Sequence, residues 1–138
     1  FAGANRFLVE GHDGRDLDDG HLTAREIALL DLSETDLVVM SACETGAGKY
    51  TPEGVLGLQR GFKLAGVNTL VMSLWKVNDA AAATMMSEFY KNMLSGMDKR
   101  SAFFKARATL RGGSYPGPDG TTLKGTDPAI GDAFVILD

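Results

Sequence analysis

Two short, uninterrupted apolar runs, Leu37-Val38-Val39-Met40 and Thr69-Leu70-Val71-Met72, bracket a segment whose apolar residues recur at helical spacing. Neither run alternates polar with apolar, so each reads as a strand covered on both faces, as in a parallel sheet. Between them, residues 53–65 carry Val55, Leu58, Phe62 and Ala65 on one helical face, with Leu56 and Leu64 widening it. Gly66 follows as a helix stop. Strand, helix, strand with short links is a βαβ unit, right-handed by the twist of the backbone, and it commits the chain to an α/β class.

The flanking segments fit that class. Residues 5–9 are short and apolar, and residues 10–20 are rich in Gly and Asp and read as turns. Thr23-Ala24-Arg25-Glu26 matches a capping box, predicting a short helix to about Leu30 with Ile27 and Leu30 on one side. Asn78 or Asp79 can cap a helix reaching about Leu94, its apolar stripe made of Met85, Met86, Phe89, Tyr90 and Met93. A further helix is predicted from about Lys99 to Arg111, carrying Phe103, Phe104 and Leu110. Residues 112–128, with five glycines and three prolines, read as a loop, and residues 133–137 as a closing strand. The result is an open α/β sheet with helices on its faces, in one domain over residues 1–138.

Composition narrows the function classes. The 138 residues carry a net charge of −4 with no basic run, which argues against a nucleic-acid-binding surface. One cysteine and two histidines leave no disulfide framework and make a structural zinc site improbable, so neither a metal nor a cofactor is expected. No apolar run approaches the roughly 18 residues that span a bilayer. The lone thiol suits a reducing compartment, and a cytoplasmic location is the expectation. The chain opens at Phe1 without an initiator methionine, as a cleavage product, a piece of a longer chain or a trimmed one would.

In open α/β sheets chemistry gathers beyond the carboxyl ends of the strands. Immediately after the first run stands Ser41-Ala42-Cys43-Glu44-Thr45-Gly46-Ala47-Gly48, which puts the single cysteine at that rim. Small neighbours permit a tight turn, and a thiol in a loop of free amides ahead of a helix is a candidate nucleophile. The residues alone leave a second reading open, Cys43 as a small buried hydrophobe, the commoner state of a free cysteine. A phosphate-binding loop is a third. Gly48 and Lys49 fit G-x-x-x-x-G-K-[ST], but Cys43 replaces the first glycine, Tyr50 the hydroxyl residue, and Pro52 falls where the helix should run.

The stretch Leu37–Gly46 resembles the LVVLSAC-x-TG signature of CHAT domains, caspase-like cysteine peptidases related to separase and gingipain. The likeness continues through Leu22–Ile27, Glu53-Gly54, Gly57-Leu58, Phe62, Ala65-Gly66, Ser73-Leu74-Trp75-Lys76-Val77-Asn78-Asp79, similar to SLW-x-V-x-D, and the closing Ala133–Leu137 strand. The resemblance implies a caspase-like three-layer α/β/α sandwich with a mostly parallel central sheet. It implies Cys43 as the nucleophile of a His/Cys dyad, cleaving peptide bonds through a thioester. Ser73, Leu74 and Trp75 fall where such peptidases pair with an extended substrate, and Asp79 where relatives specific for Arg or Lys carry an acid.

One part of the pattern departs. The family histidine sits in a His-Gly motif ending the strand before the Cys-bearing one, and neither His12 nor His21 fits it. The general base, and the amide of the glycine after it, are then expected from a His-bearing N-terminal part of the same domain, and a chain without that strand is expected to be unstable or to aggregate. Family members often follow tetratricopeptide-like repeats, so such repeats and a peptide substrate are the implied partners. A non-catalytic CHAT-like scaffold or sensor is the competing reading. No spacing argument fixes a role for Glu44.

Overall fold

The computed structural model describes residues 22–40 and 52–138, the latter with side chains from Leu56 onward. They fall into two compact units, residues 22–35 with 52–67 and residues 36–40 with 68–138.

In the first unit, helix α1 (Ala24–Ile27) starts on a capping box. The Thr23 amide donates to Glu26 Oε2 at 2.7 Å, and the Glu26 amide donates to Thr23 Oγ1 at 3.2 Å. The reciprocal pair satisfies two amides that no helical carbonyl can reach. Ile27 is buried at 1% exposure, whereas Leu30, expected beside it, lies beyond the four-residue helix and stays 44% exposed. Helix α2 (Pro52–Leu64) packs against α1 and ends in a Schellman motif, Val67 donating to the Phe62 carbonyl at 3.1 Å and Gly66 to Lys63 at 3.2 Å. That closure requires a left-handed residue, and Gly66 supplies it with φ +96°. Leu56 and Leu64, read as widening the apolar face, are exposed.

The second unit is built on a sheet of order β1-β2-β5, with β1 Leu37–Met40, β2 Thr69–Ser73 and β5 Phe134–Leu137. β1 and β2 run parallel with Met40 opposite Met72, while β2 and β5 run antiparallel with Ser73 opposite Phe134. Among the described residues this is a small mixed sheet, one pairing of each kind. The register lines up Val39, Val71 and Ile136 in one row. That row joins the core formed with helices α3 (Asp79–Leu94) and α4 (Lys99–Gly112). Leu70 and Met72, on the opposite face by strand alternation, are equally buried.

β2 is buried throughout, as its apolar run predicts; β1, read the same way, is only half-buried along its length. It lies at one edge of the described sheet, and side-chain type cannot report how many lateral neighbours a strand has.

Helices α3 and α4 pack closely on each other, with the rings of Phe89 and Phe103 edge to face at 6.4 Å. Of the stripe predicted on α3, Met85 and Phe89 are fully buried, whereas Tyr90 is exposed; on α4, Phe103 is buried and Phe104 is half exposed.

The segment read as a loop holds structure. β3 (Ser114–Pro116) and β4 (Thr122–Lys124) form an antiparallel hairpin around a turn at Pro118–Gly120, and α5 (Pro128–Gly131), capped by Asp127, leads into β5. Three-residue strands among glycines and prolines give no alternation to detect. Tyr115 fixes the hairpin, donating its hydroxyl to the Leu110 carbonyl at 2.9 Å inside the core.

Candidate functional site

The chain leaves β2 at Ser73, and the next five residues connect it to α3. Parallel pairing sets Met40, the last residue of β1, directly opposite Met72, so β1 ends at the end of the sheet from which the segment Ser73–Asp79 leaves. Cys43 and Glu44 themselves, like His12 and His21, lie outside the described residues.

Ser73 is buried at the end of β2. The Leu74 amide donates to the Ala133 carbonyl at 2.7 Å, which prolongs the β2–β5 pairing one step past the strand. Leu74 and Trp75 are both half-buried. The Trp75 indole N–H donates to the Ala129 carbonyl in α5 at 2.8 Å, and Trp75 packs against the core. A tryptophan with its ring on apolar neighbours and its one donor satisfied is held in a single orientation. Val77 is buried, anchoring the segment before the helix begins.

Asn78, rather than Asp79, caps α3: its Oδ1 accepts from the amides of Ala80 at 3.1 Å and Ala81 at 3.2 Å. Its Nδ2 donates to the Pro116 carbonyl at 2.7 Å. Asp79 is then the first residue of the helix, exposed, and makes no hydrogen bond or ion pair within the described residues. A carboxylate there is favoured by the helix dipole and is open to solvent, unlike a buried partner for a guanidinium. The structure therefore brings Ser73, Leu74, Trp75 and Asp79 onto one short segment.

Three residues that sequence reading did not connect with this segment belong to its surroundings: Pro116, Ala129 and Ala133 each offer a backbone carbonyl to it. A backbone acceptor leaves no trace in residue type, so no signal marked them. Among the described residues, no three His, Cys, Asp or Glu side chains stand together as metal ligands would, and no helix is long and apolar enough to cross a membrane.

Comparison with known proteins adds identity to this geometry. The chain is 32% identical over 120 residues to tetratricopeptide repeat protein 28 of Mus musculus, covering 84% of this chain and 5% of that protein. To tetratricopeptide repeat protein 28 of Homo sapiens it is 34% identical over 90 residues, covering 65% of this chain and 4% of that protein. It thus spans about one twentieth of the length of these curated relatives. No solved structure matches it. The sequence profile of the CHAT domain matches residues 2–118, and the chain belongs to the CHAT domain family.

Proposed function

We propose that this chain is the Cys-bearing part of a caspase-like cysteine endopeptidase, with Cys43 as nucleophile. The observation that carries the reading is the parallel pairing of β1 and β2 in a CHAT family member. Cys43 follows Met40 by three residues, a tether of at most about 11 Å, and Ser73 follows Met72 directly. On this reading the nucleophile and the substrate-binding segment share one end of the sheet. The buried faces on both sides of β2 support the finer architecture, a three-layer α/β/α sandwich with a mostly parallel complete sheet.

In the proposed reaction an imidazole takes the Cys43 proton, and the thiolate adds to the scissile carbonyl. The C–N bond then breaks, the amine leaves with the proton, and water hydrolyses the thioester. The imidazole comes from the His-bearing N-terminal part of the domain, since neither His12 nor His21 stands in a His-Gly motif. Ser73, Leu74 and Trp75 line the path of an extended peptide. Asp79, exposed at the start of α3, attracts a basic P1 side chain by its charge rather than by a buried ion pair. The names of the relatives support placement beside tetratricopeptide repeats, and the single free thiol suits a cytoplasmic setting.

The test is labelling of the full-length protein with peptidyl acyloxymethyl ketones carrying Arg or Lys. The expected result is a mass gain on Cys43 that Cys43→Ser abolishes. No labelling by any peptide series would favour the non-catalytic scaffold, and protection of the Cys43 loop by ATP-Mg²⁺ would favour a nucleotide site.

A further inference from the structure

Asn78 is satisfied at both ends of its amide. The Ala80 and Ala81 amides require an oxygen on one side, and the Pro116 carbonyl requires an N–H on the other, so the orientation of the group is fixed by its partners. Capping alone would be served by Ser, Thr or Asp. A carboxylate has no proton for Pro116, and a serine hydroxyl lacks the second arm. Asparagine is the cap that can also hold a carbonyl.

The carbonyl it holds is informative. Pro116 ends β3, and the hairpin is small, closed at its tip by Gly117 donating to Thr121 at 2.8 Å. Hairpins of this size are marginal on their own, so what they are tied to sets their position. Tyr115 ties the hairpin to Leu110, and the segment Ser73–Asp79 adds links of its own to the hairpin and to α5. Asn78 holds the hairpin at Pro116, and Trp75 holds α5 at Ala129.

We propose that Asn78 is a positioning residue: with one arm it caps α3, with the other it holds the hairpin, and it thereby fixes the distance between the hairpin and the segment Ser73–Asp79. Resting on the peptidase reading, with the extended peptide running between the hairpin and Ser73–Asp79, this makes Asn78 the residue that sets the width of that cleft, without touching the reacting atoms.

Asn78→Asp and Asn78→Ser keep a cap and remove the tie, whereas Asn78→Ala removes both. In the full-length protein, exchange of the Gly117 amide is expected to quicken about fivefold in the Asp and Ser variants, the equivalent of one ordinary hydrogen bond. The first-turn amides of α3 stay as protected as in the wild type. With the ketone probe, the half-saturating concentration for Cys43 labelling rises about fivefold while the maximal rate is unchanged. Unchanged hairpin exchange in both variants overturns the tie. Faster exchange with unchanged half-saturation overturns the control of cleft width. A wild-type protein that takes no probe at Cys43 overturns the peptidase reading and the cleft with it, while the exchange measurement still decides the tie.

Discussion

Trp75 and Ala129 are joined by an indole-to-carbonyl hydrogen bond of 2.8 Å that closes 54 residues of chain, from the end of β2 to the helix before β5. Both flanks of this link are also paired, since the Leu74 amide donates to the Ala133 carbonyl. The segment that follows the sheet's central strand is thus bonded to the run-in of its antiparallel neighbour.

Trp75→Phe keeps an aromatic ring against the core and removes the donor. The Ala129 carbonyl loses its indole partner, so the expected cost is about 1 kcal/mol. In urea this appears as a lower midpoint with an unchanged slope. Trp75 is the single tryptophan of these 138 residues, so the difference in emission between wild type and Trp75→Phe isolates this segment, and peptide binding at Ser73–Asp79 is expected to shift that difference. Emission unmoved by a peptide that protects Cys43 would remove Trp75 from the substrate path.

What the sequence disclosed follows from the range of the interactions concerned. The Thr23/Glu26 box, the Asn78 cap and the Gly66 stop each act within a few residues, so their residue types announce them. The helix from Lys99 and the stripe through Met85 and Phe89 were legible because burial there repeats with the helical period. The hairpin was not, because Tyr115 is the only buried residue of its two three-residue strands and its bond to Leu110 depends on the tertiary fold. The half-buried state of β1 depends on which strands stand beside it, a property its four apolar residues do not encode. At the candidate site, the family motif picked out Ser73–Asp79, but the acceptors at Pro116 and Ala129 are backbone atoms and could be found only in three dimensions.

Tyr115→Phe tests how firmly the hairpin is pinned. The hydroxyl is buried and donates to the Leu110 carbonyl, which also accepts the Gly113 amide at 3.2 Å. Removing the hydroxyl leaves that carbonyl with one partner, so the expected loss is about 1 kcal/mol rather than the larger penalty of an orphaned group. Chemical denaturation measures it, and a loss above about 3 kcal/mol would mean that the ring itself had moved.

Gly125 and Gly112 make a contrasting pair. A Cβ at Gly125 would stand 1.9 Å from the Leu110 carbonyl oxygen and 2.9 Å from its carbon, backbone atoms that cannot turn aside. Gly125→Ala is expected to cost about 3 kcal/mol or more. A Cβ at Gly112, the last residue of α4, meets nothing within 4 Å. Gly112→Ala is expected to be neutral or to stabilise by up to about 1 kcal/mol through helix propensity. Thermal melts of the two variants check the pair, and equal effects would refute the close approach of Gly125 to α4.

Acid should loosen the lower end of the same sheet, and Asp36 is the group to watch. Lys99, at the first turn of α4, donates to the Asp36 carboxylate and, at 3.1 Å, to the Asp36 carbonyl. The hydrogen bond from Lys99 holds the Asp36 carboxyl below its ordinary value of 3.8, and the ammonium charge adds to it. Asp98, lowered by its bonds to the Ser101 hydroxyl and amide, acts in the same direction. A carboxylate whose pKa is lower folded than unfolded binds fewer protons in the folded state. Its contribution is therefore complete above the unfolded value near 3.8 and disappears as the pH falls through the lower folded value. Both groups are solvent-exposed, so salt screens the effect and its size stays small. Urea midpoints followed from pH 6 down to about pH 2 should decline below the ordinary carboxylate range, and Asp36→Asn should flatten part of that decline. An Asp36→Asn profile parallel to the wild type would show that the Lys99 contact contributes nothing to folding.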